Sequence, residues 1–296
     1  MSRAIISGCG GGYDAYFGIP LFYRLRQQHI QPIVASLSLQ SSQSLHDYVK
    51  CGVLTKISTV CFRVNAAEVI AVITRNFPEY HLSRALGEPV YILGTFGTIQ
   101  NIVDAYRAII KHHGRGRVRS IYLMEGGCDA VLSGRETCLG TPEEDYMHLK
   151  AVVQLRIPEK RVCAIGMNVD QADGIKEDEM LERMAFLREN GALVGVERWT
   201  RSRETMRKYC AAIKRSNPRN SIVNSLVLAA MEGKTGKYTP PQLVGRIGKS
   251  RVSIGELTRT MHTYALDDLV KTMVYMDRLS NGLSFKGVRK CIAETN

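Results

Sequence analysis

The residues of this chain best suited to chemistry lie in two glycine-rich segments that carry acids. The first is Ile5-Ile6-Ser7-Gly8-Cys9-Gly10-Gly11-Gly12-Tyr13-Asp14-Ala15, an apolar run that enters glycines and then an amphipathic stretch. Glycines let a backbone approach a ligand closely, and the N–H groups that open the next helix attract negative charge. Gly8, Gly10, Gly11 and Gly12 are therefore candidate phosphate-binding residues, with Asp14 beside them. The second segment is Glu125-Gly126-Gly127-Cys128-Asp129, followed by Gly134-Arg135-Glu136 and Thr141-Pro142-Glu143-Glu144-Asp145. Carboxylates in this pattern can build an oxygen-rich Mg²⁺ site or supply a general base. Asp14, Asp129 and Asp145 are the expected catalytic residues, Asp129 and Asp145 the expected metal ligands. Gly126, Gly127 and Glu136 are further ligand-binding candidates, and Glu125 is an alternative member of the acid cluster. An ordinary reading stands beside each: Asp14 caps its own helix, Asp129 stabilises its own turn, and Asp145 favours a helix start.

Other apolar runs end in similar fashion. Leu93-Gly94-Thr95-Phe96-Gly97-Thr98 adds Gly94 and Thr95 as ligand-binding candidates, and Gly166-Met167-Asn168-Val169-Asp170 offers Asp170 as a weaker one.

Spacing narrows the nucleotide classes. Gly10-x-Gly12-x-x-Ala15 fits a relaxed dinucleotide fingerprint, and Gly8-x-Gly10-x-Gly12 a shorter methyl-donor pattern. A dinucleotide site also needs an acid at the end of the second strand to hold the ribose hydroxyls. Here that strand ends Ala35-Ser36-Leu37-Ser38-Leu39-Gln40, with no carboxylate before Asp47, which disfavours a nicotinamide or methyl-donor enzyme. Gly233-Lys234-Thr235 and Gly248-Lys249-Ser250 both lack the upstream glycine of a Walker loop, and no Gly-x-Ser-x-Gly nucleophile elbow exists.

These segments need a scaffold, and hydrophobic periodicity supplies one. Short apolar runs at Arg3–Ser7, Ile33–Leu39, Lys56–Phe62, Pro89–Leu93, Ser120–Met124, Val162–Gly166 and Leu193–Val196 read as strands. Between them, helices are expected near Ala15–Gln28, Ala66–Phe77, Ile99–His112, Pro142–Leu155, Lys176–Glu189, Ser202–Arg215 and Ile222–Glu232. Thr141 is the expected cap of the fourth, with Pro142 in its first turn and acids where the helix dipole favours them. Asn217-Pro218-Arg219-Asn220 should break one helix before the next. The alternation predicts an α/β fold, a Rossmann-like three-layer sandwich around a mostly parallel, doubly wound sheet. In such sheets ligands bind where the strand order reverses. If the first and fifth strands flank that crevice, Asp14 and Asp129 approach each other. We expect a single domain over 1–296, with 1–235 as the core and 236–296 an extension packing on it. Within the extension, Arg251–Ile254 reads as an edge strand and Leu266–Asp277 as the terminal helix.

Composition bounds the remaining classes. The 296 residues, 45% hydrophobic, suffice for a sizeable core, and no apolar run is long enough to cross a bilayer. A cytoplasmic protein with no membrane partner is the expectation. Eight cysteines without a C-x-x-C pair read as buried thiols. The net charge of +12 is uneven: 1–150 carries 15 basic and 12 acidic residues (+3), 151–296 carries 25 and 16 (+9). Between Arg198 and Arg251, 13 basic residues face only Glu204 and Glu232. That region is either a solvated surface or a contact for nucleic acid or an acidic partner. It lacks interleaved aromatics and any nucleic-acid motif, so nucleic acid is not the favoured partner.

Taken together, these motifs resemble the archaeal-type proteins grouped as domain of unknown function 1152, over about residues 4–280. The family's glycine run and aspartate are similar to Gly8–Asp14, and its Gly-Gly-Asp resembles Gly126-Gly127-Cys128-Asp129, with Cys128 inserted. Its Gly-x-Glu stretch and Ser-Pro-Leu with a helical aspartate resemble Gly134-Arg135-Glu136 and Thr141-Pro142-Glu143-Glu144-Asp145, with Asp145 at the aspartate position. Ala164–Asp170 and Ser221–Gly233 resemble its later strand-turn and helix. The resemblance implies a Rossmann-like sandwich and the same choice of site, and names no reaction.

The expected function is binding of a nucleotide or phosphorylated metabolite at the glycine loop. Mg²⁺-dependent phosphoryl, nucleotidyl or ligase-type transfer is its enzymatic extension, with a basic residue from Arg198–Lys208 neutralising ligand charge. No organic cofactor is expected, and a homodimer is allowed. The alternatives are a non-catalytic protein that contacts nucleic acid or an acidic partner through 198–251, and a dinucleotide or methyl-donor enzyme.

Overall fold

The computed structural model of the chain describes residues 1–64, 77–114, 117–216, 221–247 and 252–294. Of the expected features, the helix at Ala66–Phe77 (Phe77 apart), the Asn217-Pro218-Arg219-Asn220 break, Gly248-Lys249-Ser250 and Arg251 lie outside the described residues.

Five strands run parallel through the centre of a nine-stranded sheet. In spatial order they are β5 (Val90–Gly94), β2 (Gln31–Ser38), β1 (Arg3–Gly8), β6 (Val118–Gly126) and β7 (Glu159–Ile165). A hairpin of β3 (Leu54–Lys56) and β4 (Cys61–Val64) extends the sheet beyond β5. On the other side β11 (Thr260–Ala265) lies between β7 and the edge strand β8 (Leu193–Arg198), antiparallel to both.

Side chains alternate across a strand, so each strand feeds two cores. In β1, Ile5 packs on one side with α4 (Ile99–His112), α5 (Glu143–Val153), α6 (Glu177–Glu189) and the terminal α11 (Phe285–Ala293). Ala4 and Ile6 pack on the other with α1 (Ile19–Gln27), α3 (Pro78–Leu86) and α7 (Glu204–Arg215). Helices on both faces make this the expected three-layer α/β sandwich. The best-anticipated helix, α4, carries a full capping box: Thr98 Oγ1 accepts from Asn101 N at 3.3 Å while the Thr98 N–H donates to Asn101 Oδ1 at 3.0 Å.

Strand order creates the site. From β1 the chain builds outward through β2 and β5; from β6 it builds the opposite way through β7. The order therefore reverses between β1 and β6, which pair in register to Ser7 opposite Leu123 and Gly8 opposite Met124. Both glycine-rich segments leave the sheet side by side, at the edge where open α/β sheets bind ligands.

Several elements differ from expectation. Lys56–Phe62 is not one strand, because a turn at 58–60 folds it into the β3–β4 hairpin. The stretch Ala15–Gln28 starts as a 3₁₀ turn, Asp14–Gly18, before α1. Four helices escaped the periodicity reading: α3, α11, the short α9 (Val244–Ile247), and α2 (Ser42–Lys50), which buries Leu45 alone. Val252–Ile254 (β10) is not an edge of the main sheet; it pairs with β9 (Gly236–Tyr238) in a separate two-stranded sheet. Leu266–Asp277 is helical only over Leu266–Val270 (α10), and α11 is the terminal helix. Among the described residues, no helix is long and apolar enough to cross a membrane.

Candidate functional site

The reversal point opens into a cleft of about 330 Å³. Its described walls carry seven carboxylates, from Asp14, Glu125, Asp129, Glu144, Asp145, Asp170 and Asp173, and one cation, Arg246. Asp14 and Asp129 thus share one crevice, with Asp145 reaching in from the first turn of α5.

The glycines make room for these acids. A side chain at Gly10 would meet Asp14 Oδ2 at 2.8 Å and Asp145 Oδ1 at 3.2 Å; at Gly126 it would meet Asp14 Oδ1 at 2.9 Å. At Gly127, whose φ is +141°, a Cβ would fall on the Asp170 carboxylate. The amides of Gly10 and Gly11 are already engaged, donating to Asp14 Oδ2 at 3.0 Å and Glu144 Oε2 at 3.1 Å. The expected phosphate cradle is therefore satisfied internally at two of its positions. Gly12 differs: at φ +73° it has open space where a side chain would stand. Gly127→Ala combines left-handed strain with the Asp170 collision and is expected to cost about 1–3 kcal/mol, seen as a lowered urea midpoint.

Asp129 accepts from the Thr141 N–H at 2.8 Å and from Thr141 Oγ1 at 3.3 Å. Thr141 consequently does not cap α5; the residue preceding that helix is Pro142, without a side-chain cap bond. The Cys128 N–H donates to Asp170. After these bonds Glu125 Oε2, Asp129 Oδ1 and Asp145 Oδ1 remain buried with no partner among the described residues.

So many acids cannot all ionise in one buried place. Burial pushes Asp14 up to about 8, with Glu144 and Asp129 adding repulsion and the Gly10 amide opposing it. Burial, then repulsion from Asp145, holds Glu125 well above the carboxylate range; burial, then Asp129, does the same to Asp145 and to Asp170. Glu125 faces Asp145, and Asp170 faces Asp129, in two buried pairs. Two facing carboxylates in such a place do not both ionise, so each pair retains at least one proton when nothing else is bound. Ligating atoms of Cys9, Glu125 and Asp145 lie within 4.8 Å of one another, as do those of Cys128, Asp129 and Asp170. Burial and the neighbouring carboxylates push both thiols up, which leaves the oxygens as the available donors at neutral pH.

Beneath the glycine loop lies a buried histidine absent from the sequence reading. His148 Nδ1 stands 2.7 Å from the Cys9 carbonyl, which can only accept, so Nδ1 carries the proton. Nε2 faces the Tyr106 hydroxyl at 2.5 Å, and that hydroxyl stands 2.8 Å from Ser7 Oγ. Burial pushes His148 down to about 4, which keeps it neutral as this network needs. His148→Leu would remove the Nδ1 donor from the Cys9 carbonyl and leave the Tyr106 phenol with Ser7 alone, and we expect a loss of about 1–3 kcal/mol for the orphaned carbonyl in urea unfolding.

Other expected residues stand apart. Gly94 and Thr95 close β5, two strands from β1, where Thr95 Oγ1 donates to the Ser38 carbonyl at 3.4 Å. Glu136 folds back on its own loop, accepting the N–H groups of Ser133, Gly134 and Arg135, and lines a different cavity of about 510 Å³ beside Arg183. The cation expected from Arg198–Lys208 does not line the cleft: Arg198 pairs with Glu256, Arg201 with Glu232, Arg203 with Glu197 and Lys208 with Glu204. Arg246 takes that place. Sequence reasoning also passed over Glu144 and Asp173.

Fold and site together define a doubly wound α/β protein with an acidic cleft at the reversal of its sheet. The family model for the proteins of unknown function DUF1152 matches residues 50–295, and the chain belongs to that family. No curated protein matches it.

Proposed function

We propose that the cleft binds a divalent cation together with a nucleotide or phosphorylated metabolite. The supporting observation is the convergence of buried carboxylates whose remaining oxygens have no partner among the described residues, around the open face of Gly12. An anion alone is repelled by this wall; an anion bridged by a cation is attracted. Oxygen donors of this kind suit Mg²⁺ or Mn²⁺, with Glu125 and Asp145 as one pair of ligands and Asp129 and Asp170 as a second. Such a cation neutralises phosphate charge and supports in-line transfer, so phosphoryl, nucleotidyl or ligase-type chemistry is the reaction class. Asp14, with its pKa near neutrality, suits proton transfer to or from the reacting group. Arg246 meets the ligand charge that the cation leaves exposed.

A nucleic-acid role for 198–251 has less support, because most cations of its first part are paired with acids. The test is titration calorimetry with MgCl₂ and MnCl₂. Wild type should bind with an affinity that rises from pH 6 to pH 8, since the cation displaces protons from the acid pairs. Absence of binding at both pH values would dismiss the reading.

A further inference from the structure

At the end of β2 a second cavity of about 260 Å³ opens beside the cleft and shares Gly12 and Arg246 with it. Its unusual member is Glu79, in the first turn of α3. Glu79 is 1% exposed, and neither carboxylate oxygen has a hydrogen-bond partner among the described residues. A buried carboxylate with both oxygens unpaired is costly, and a carboxylate can only accept. The Ser38 side chain beside it favours the charged form, and a group with two donors would satisfy both oxygens. Beside Gly12 and Arg246, which suit an anion, a neutral diol attached to a phosphate fits better than a cation.

Position sharpens this inference. In doubly wound folds an acid at the end of the second strand holds the ribose hydroxyls. This chain has none on the strand: Ser38, Leu39 and Gln40 follow one another there. Glu79 arrives at the same place from another element, with Ser38 in the same cavity wall. The gap left by the strand sequence is filled in space by α3.

We propose that Glu79 accepts both hydroxyls of a ribose, so that this cavity is the sugar subsite of a ribonucleoside phosphate. This rests on the phosphate-binding reading of the adjoining cleft. The phosphates would reach the acids and their cation past Gly12, while the ribose lies over the end of β2.

The experiment compares the four ribonucleoside triphosphates, their 2′,3′-dideoxy counterparts and pyrophosphate, each with MnCl₂, on wild type and Glu79→Gln. Wild type should bind at least one ribonucleotide at least tenfold more tightly than its dideoxy counterpart. Glu79→Gln should erase that preference and keep the pyrophosphate affinity of wild type, which also shows that the variant is folded. Equal affinity of wild type for ribo and dideoxy ligands would overturn the sugar subsite, whether or not the variant folds. So would a preference that survives in Glu79→Gln. Pyrophosphate binding without any ribose preference would overturn the subsite alone. Failure of every ligand, pyrophosphate included, would overturn the phosphate reading with it.

Discussion

Asp145→Asn should make the metal-free protein more stable at pH 8 and abolish its response to divalent cations. The first half has the opposite sign to most substitutions of buried residues, which destabilise. Asp145 is 4% exposed, and its carboxylate faces Glu125, Asp129 and Asp14. An amide there carries no charge and can donate to Glu125, so the wild-type cost of holding a proton between two acids disappears. A gain of 1–2 kcal/mol would raise the melting temperature by roughly 2–6 °C for a chain of this size. With a ligand lost, MnCl₂ should bind about 100-fold more weakly or not at all.

The pH dependence follows from the same pairs. An acid whose folded pKa lies above its unfolded value binds more protons in the native state, so stability falls as pH rises through the interval between them. For Asp14 that interval runs from its ordinary value near 3.8 to about 8, and Glu125, Asp145 and Asp170 act in the same direction. Metal-free wild type should lose stability from pH 5 to pH 8, and millimolar MnCl₂ should restore it. A melting temperature unchanged over that range, or lowered by Asp145→Asn with the cation response intact, would contradict this description of the cleft.

The second large effect concerns the anion. The cleft offers an anion one cation, Arg246, against seven acids that a bound anion would drive to keep their protons, so an anion gains little there until a divalent cation displaces those protons. Pyrophosphate or a nucleoside triphosphate should bind at least 100-fold more weakly in EDTA than in MnCl₂, about 2.7 kcal/mol. Arg246→Ala should weaken binding by about tenfold in MnCl₂, worth about 1.4 kcal/mol, and leave the affinity for the cation itself unchanged. Both are read by calorimetry. Binding that is indifferent to EDTA would mean that the backbone amides alone hold the anion, although those of Gly10 and Gly11 donate to acids.

Much of the scaffold could be read from local patterns. Ile99–His112 is helical over the expected span because its apolar residues repeat on one face and Thr98 caps it. The reversal between β1 and β6 rests on two largely buried apolar runs that end in glycine. The misreadings have equally local causes. In α2, Ser-Gln-Ser-Leu-His-Asp-Tyr-Val-Lys buries Leu45 alone, so no apolar stripe announces the helix. In the C-terminal segment, β11 takes its place inside the main sheet by long-range pairing with β7, which spacing cannot reveal.

The site divides along the same line. Gly10, Asp14, Asp129 and Asp145 were legible because glycines and acids sit together in sequence at strand ends. Arg246 and Glu79 were not: each reaches the cleft or its neighbouring cavity from an element far away in the chain. Thr141 misled because its hydroxyl has the right spacing for a cap, and the nearer demand of Asp129 took it. Glu136 misled because a Gly-x-Glu at a loop looks the same whether its carboxylate serves a ligand or its own turn.

On the proposed function, the acid pairs at the sheet reversal hold a divalent cation. Crystals grown with MnCl₂ and pyrophosphate, measured for manganese anomalous scattering, test it most directly. An anomalous peak is expected in the cleft at roughly 2.0–2.3 Å, a distance typical of small divalent cations, from oxygens of Glu125 and Asp145 or of Asp129 and Asp170. A well-ordered cleft without that peak at saturating MnCl₂, its acids still paired with each other, would contradict it.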